Sequence, residues 1–346
     1  MVKRRRGGRR KGVVGLALAL AVLLGASSLS GCSFGGSRGS GGPEANPAGR
    51  PGNTSNGEAR ASGAELPGAL IAMIDNHPNA RPQSGLDKAD LVYEIDCEAG
   101  ITRFMAIFYS QAAPKVGPIR SARFYYAQLA KPYQAPYAHA GGNMDVLAML
   151  KSSAYRNFPD LDEIYNASRY FWRERGRKAP HNLYTSTDKM LEGARDKGYT
   201  LHPLDPLPTG TVEGGTACPS FTLEYANKPS YTYRTQYVYG EGKYAKLVNG
   251  RPFRVDNGTQ IRTDNVIVMV AKSRWIKREQ WETDIDVIGQ GQAYYFVGGK
   301  VYQGTWYKPS VDEPLQFWYG NQRMAFAPGK TWINVIPEAS KLQMDL

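Results

Sequence analysis

Ile71-Ala72-Met73-Ile74-Asp75 and Gly117-Pro118-Ile119-Arg120-Ser121-Ala122-Arg123 bracket the part of the chain that sets its plan. The first is a short apolar run ending in a carboxylate, the signature of a buried strand. Between them, Asp90 to Glu98 alternates. It predicts a strand with Tyr93, Ile95 and Cys97 on one face and Glu94, Asp96 and Glu98 on the other. Ala99-Gly100 predicts a tight turn and Ile101 to Tyr109 a returning strand, with Asp96 opposite Arg103 as a cross-strand ion pair. Asp75, Arg81, Glu94, Asp96, Glu98, Arg103, Arg120 and Arg123 thus fall among residues that read as core. Buried charges are either paired within the protein or turned toward a ligand.

Beyond this stretch, Ser121 is expected to cap a helix running to about Lys131, before Pro132. Pro136 to Ala140 reads as a strand. Asn143 is expected to cap a helix over about Met144 to Ser152, and Thr185 or Ser186 one through about Lys197. Strands alternating with helices predict a mixed α/β domain over 67–212. Three prolines, Pro203, Pro206 and Pro208, mark its end. From there, runs rich in Tyr, Val, Thr and Trp are separated by Asn249-Gly250, Asn257-Gly258, Gly298-Gly299 and Gly320-Asn321. These are hairpin turns, so 213–346 is expected to be a mostly antiparallel β domain, a sandwich or partly open barrel, giving an α+β chain overall.

Seven of the chain's positive charges lie within its first 31 residues, which contain no acid. They account for much of the formal charge of +12 and leave +5 on the remainder, too little for a nucleic-acid binder. A basic start, an apolar run over Val13 to Leu24, and Leu29-Ser30-Gly31-Cys32 form an export signal with a lipobox, by resemblance to bacterial lipoprotein signals. Residues 1–31 are then a cleaved signal peptide and Cys32 the lipidated residue. Residues 32–66, dominated by Gly, Ser, Pro and Asn, are a disordered tether. The expected location is the extracytoplasmic face of the cell membrane. Cys97 and Cys218 read as two buried thiols rather than a disulfide framework.

Several long motifs in order give the chain a family resemblance. They include Met73-Ile74-Asp75-Asn76-His77-Pro78, Ala80-Arg81-Pro82-Gln83-Ser84-Gly85-Leu86, Tyr93-Glu94 with Glu98, and Ile101-Thr102-Arg103. Gly117 to Arg123, His139-Ala140-Gly141-Gly142, His181-Asn182, Gly304-Thr305-Trp306 with Lys308, and Gly329-Lys330-Thr331-Trp332 complete them. Across 69–337 the chain resembles the YerB-like bacterial lipoproteins. The resemblance implies a two-domain envelope lipoprotein and supplies no activity.

Candidate chemistry is therefore read from the residues. Arg81, Arg103, Arg120 and Arg123 suit an anion, held beside Asp75, Asn76, Glu94, Glu98, Ser121, His139, His181, Asn182 and Lys308. The turn His139 to Asn143 would join the same rim. An internal anion, one of the stretch's own carboxylates, is the competing reading. The second functional reading is an envelope hydrolase, glycan-directed or metal-assisted, using Asp75, Glu94, His139 and His181. No HExxH, Cys pair or Gly-x-Ser-x-Gly occurs, so no metal, cofactor or nucleophile is assigned. Asp96 and Glu98 would also raise the Cys97 thiol pKa and dull it. The run Arg169 to Lys178 reads as a solvated loop, and Trp306 and Trp332 as core. The expected partners are the membrane, through lipid on Cys32, and an anionic cell-wall polymer, a glycan or another envelope protein.

Overall fold

A computed structural model describes residues 65–98, 100–204, 207–277 and 282–346. The signal peptide, Cys32, nearly all of the tether and Ala99 lie outside the described residues.

The first half contributes strands β1 (Leu70–Asp75), β2 (Leu91–Glu98) and β3 (Ile101–Phe108), then helix α1 (Phe124–Ala130), β4 (Tyr137–His139) and α2 (Met144–Leu150). β5 (Asp160–Asp162), β6 (Trp172–Arg173), β7 (Leu183–Tyr184) and α3 (Thr187–Asp196) follow. The second half has no α-helix among the described residues and contributes the strands β8 (Thr216–Ala217), β9 (Ser220–Lys228), β10 (Tyr231–Gly240), β11 (Lys243–Val248), β12 (Arg251–Pro252), β13 (Arg262–Thr263) and β14 (Asn265–Val270). β15 (Ser273–Lys277), β16 (Glu282–Ile285), β17 (Gly289–Val297), β18 (Lys300–Lys308), β19 (Gln316–Tyr319), β20 (Gln322–Arg323), β21 (Thr331–Ile336) and β22 (Leu342–Asp345) complete it. A mixed α/β region followed by a mostly antiparallel sheet region is the expected class. No closed barrel forms among the described strands.

One sheet runs β20-β19-β18-β17-β14-β21-β2-β3-β1-β4-β5. Its centre is made by β21, which pairs in parallel with β14 on one side and β2 on the other. The sheet is therefore unbroken across residues 212/213. A second sheet, β12-β11-β10-β9-β22 with β13 beside β11, packs on one face through Phe221, Leu223, Tyr233, Tyr237 and Tyr244. α1 and α2 cover the other face with Tyr125, Tyr126, Leu129 and Val146. Strand β1, enclosed between these layers, is buried at all six positions, which is why it reads as an uninterrupted apolar run.

Asn143 and Ser186 cap α2 and α3 as expected, accepting from the N–H groups of Val146 and Lys189. Ser121 does not cap α1. Residues 120–123 stay extended, hydrogen-bonded to β1 and to the 139–141 turn, so the helix begins two residues later than expected, with Arg123 at its cap position. Trp306 and Trp332 are core residues, and Cys97 and Cys218 are buried free thiols.

Candidate functional site

The β2–β3 pairing decides where the charges go. Asp96 faces Thr102, Ile95 faces Arg103, and the register shifts by one residue between Asp96 and Glu98. This bulge turns Glu98 onto the face of Tyr93 and Ile95, while Glu94 and Asp96 remain on the other. The expected Asp96–Arg103 pair and the shared face of three acids are thus both corrected. Arg103 pairs with Glu98 at 2.6 Å, and the Asp96 carboxylate accepts from the Gly100 N–H. The charged residues divide into two groups on opposite faces of the sheet.

The buried group lies between the two sheets. Glu94 meets Lys246 of β11 at 2.7 Å, with both side chains wholly buried. Thr102 and Tyr233 also donate to Glu94, and Lys246 donates to Thr235 and Tyr237. Burial pulls Lys246 down to about 8, against the opposing pull of Glu94. Asn76 joins this network by donating to Thr102 and Tyr233. Glu94 is therefore the internal counter-ion of a lysine that sequence reasoning missed. In sequence Lys246 sits in an ordinary alternating strand, and only the second sheet brings it to Glu94.

The second group opens to solvent at the end of β1. Asp75 is in register with Arg103. Residues 118–120 run beside β1, with the Asp75 N–H donating to Pro118 O and the Arg120 N–H to Met73 O. This places the Arg120 Nε 3.1 Å from Asp75 Oδ2. Segment 116–119 in turn pairs with β7, which brings His181 across Asp75 at 2.7 Å. The His181 ring stacks on His77 with centroids 4.6 Å apart. Glu98 accepts from both Arg103 and Arg123, and Arg103 also donates to Ser121 O. Arg81 donates to the Asn76 carbonyl and side-chain oxygen and lies over the Tyr233 ring.

The electrostatics show surplus positive charge. Three guanidinium groups, Arg103, Arg120 and Arg123, share two carboxylates here, Asp75 and Glu98, because Glu94 is taken by Lys246 and Asp96 faces the other way; Arg81 bonds Asn76 beside the buried network instead. Burial lowers the pKa of Arg120; Asp75 opposes this, while Arg103 and Arg123 repel it. Burial pushes Glu98 upward, but Arg103, Arg123 and Arg120 overcome it and hold Glu98 below the usual carboxylate range. Burial and His181 lower His77. The Arg120 side chain is 25 % exposed, and the buried Arg123 Nε has no hydrogen-bond partner. Burial pushes the Cys97 thiol to about 11, with Glu98 a minor contributor and Arg103 and Arg123 opposing. Burial, more than the flanking acids, thus keeps this thiol protonated.

The remaining expected members lie elsewhere. His139 is fully buried, with Nε2 2.7 Å from Asp160 and Nδ1 2.8 Å from Gly141 O. Its turn does adjoin the rim, through hydrogen bonds from Ala122 N–H to Gly141 O and from Ala140 N–H to Arg120 O. Asn182 binds Arg173 in the β6–β7 hairpin, and Lys308 donates to the carbonyls of Val311 and Glu313. Within the run 169–178, Arg177 is not free; it ties to the carbonyls of Ala80 and Pro82. The four hydrolase candidates do not converge. Asp75 and His181 meet, Glu94 faces the second sheet, and His139 belongs to Asp160. Among the described residues no cluster of three His, Cys, Asp or Glu could hold a metal.

Comparison with known proteins places the chain. Residues 56–200 match the family model "Protein of unknown function (DUF3048) N-terminal domain", and 221–333 match its C-terminal domain. A Bacillus subtilis (strain 168) protein named "Putative lipoprotein YerB" is 34% identical over 280 residues, 78% of this chain and 81% of that protein. The crystal structure of YerB from Bacillus subtilis superposes with a TM-score of 0.73 at 30% identity, covering 80% of this chain and 93% of that one. No helix among the described residues is long and apolar enough to cross a membrane. With both halves matched in order and the fold shared, the chain belongs to the DUF3048 family of YerB-like proteins, whose function is unknown.

Proposed function

We propose that this protein is a lipid-anchored envelope protein that binds an anionic group through the arginine cluster at the end of β1. The anchor is Cys32, on the extracytoplasmic face of the membrane. The observation that carries the reading is the imbalance of three arginines against two carboxylates at a solvent-accessible edge. In this reading Arg120 engages the ligand, since it is partly exposed and shares the Asp75 carboxylate with His181. Asp75 and Glu98 hold the guanidinium planes in position, and Arg123 has an Nε still to satisfy. Guanidinium forks match phosphate and carboxylate groups, which suits an anionic wall polymer or an acidic protein segment.

Calorimetric titration of the full chain in detergent with polyphosphate and with poly-glutamate tests this. Binding to one of them should weaken as salt rises, and Arg120→Ala should lower affinity about tenfold or more while leaving the melting temperature nearly unchanged. Absence of binding, or equal binding by the variant, would refute the reading. Metabolic labelling with palmitate should mark the wild type and not Cys32→Ala.

A further inference from the structure

At the far side of the large sheet, strands β17, β18 and β19 turn a face to solvent beyond the edge of the second sheet. Gln292, Thr305 and Trp318 stand side by side in one cross-strand row, with Gln303 two residues along β18. These four, with Gly304 and Gly320, line an open groove of about 700 Å³. A second depression of about 370 Å³ continues from Gln303 past Tyr294, Tyr302 and Tyr319. In the next cross-strand row, Gln290, Tyr307 and Gln316 extend the same surface.

The chemistry of this face is unusual. A solvated antiparallel face ordinarily mixes acids and bases among its outward positions. Here four of the seven outward residues named are glutamines, and none is charged. Arg323, opposite Trp318 on β20, is the charge at the margin, its guanidinium 5.5 Å from the Trp318 ring. The four glutamine amides bond no other group among the described residues. Each amide offers a donor and an acceptor; Gln290 and Gln292 lie about 7 Å apart along β17, and across the strands each glutamine faces a Thr or Tyr rather than another amide. Trp318 and Tyr307 add flat apolar surfaces with polar edges.

We infer that this face is a binding site for a neutral, hydroxyl-rich glycan chain. Amides that both donate and accept match hydroxyl groups, which do the same. An aromatic plane matches the C–H face of a sugar ring, and an uncharged groove neither attracts nor repels a neutral chain. Among the groove residues named, an acidic polymer would find no cation but Arg323 at the margin, and an apolar peptide would strand the amides without partners. The site is separate from the arginine cluster: between β17 and β3 lie four strand steps, about 19 Å.

The test is affinity electrophoresis and calorimetry of the full chain in detergent with cellohexaose, the N-acetylglucosamine tetramer and laminarin, with dextran sulfate as the charged control. At least one neutral chain should bind. Trp318→Ala should weaken that binding about tenfold, and Gln303→Ala should weaken it by a smaller factor. Arg120→Ala should leave it unchanged, which separates this site from the anion site. Both groove variants alter solvent-facing side chains, and their melting temperatures serve as the folding control. No binding to any neutral chain, binding to dextran sulfate alone, or undiminished binding by Trp318→Ala would overturn the inference.

Discussion

The Glu94–Lys246 pair makes a quantitative prediction, because it is the ionic link between the two sheets. Its charged atoms are 2.7 Å apart and both side chains are wholly buried. At an effective dielectric of about 20, unit charges about 4 Å apart attract by about 4 kcal/mol. Removing one partner of such a pair costs about 3–5 kcal/mol, since the other is left charged and buried. Each orphan here keeps some help. Glu94 retains the hydroxyls of Thr102 and Tyr233. Lys246 retains Thr235, Tyr237 and the faces of the Tyr237 and Trp332 rings at 4.5 and 4.6 Å. Both single variants, Glu94→Gln and Lys246→Met, should therefore fall near the lower end, about 3 kcal/mol each. The double variant has no buried charge to strand and similar volume, so it should lie within about 1 kcal/mol of wild type. Urea unfolding at neutral pH, with the slope checked for constancy, reads all four free energies. Additive losses near 6 kcal/mol in the double variant, or single losses below about 1 kcal/mol, would refute the reasoning.

Burial pushes Asp96 to about 6, against the opposing Gly100 N–H and Lys228. Its folded value exceeds the unfolded one, so protonation favours the native state; that stabilisation is full below about pH 4 and is lost as pH rises through 6. Asp96→Asn, which can still accept from Gly100, should flatten the stability profile between about pH 4 and 6 and gain up to about 3 kcal/mol at pH 7. Melting curves across pH would show it, and an unchanged slope would count against it. Gly117 holds φ at +147°, and an added Cβ would meet Tyr184 Cδ1 at 2.8 Å and Leu183 O at 2.9 Å. Gly117→Ala should cost more than about 1 kcal/mol and also weaken anion binding, because residues 118–120 would lose their seat beside β1. A melting temperature within error of wild type would contradict this.

Local pattern determined the elements of this protein and their order. The apolar run before Asp75, the caps at Asn143 and Ser186, and the glycine-containing turns of the second half all act over a few residues, and the sequence displays them directly. The surplus of arginine near Asp75 was also visible, because the motif residues lie on or beside three consecutive strands.

Three things were decided only in three dimensions. One extra residue in β2 moved Glu98 to the face of Arg103, and alternation carries no mark of such a bulge. Partner choice across 152 residues gave Glu94 to Lys246, so a carboxylate that looked available to a ligand became an internal counter-ion. Insertion of β21 between β2 and β14 joined the two halves into one sheet. Sequence periodicity reports which side of a strand is buried, but it does not say against what. Pairing between distant strands is chosen by the packing of whole faces, and that choice fixed which charges remain for a ligand.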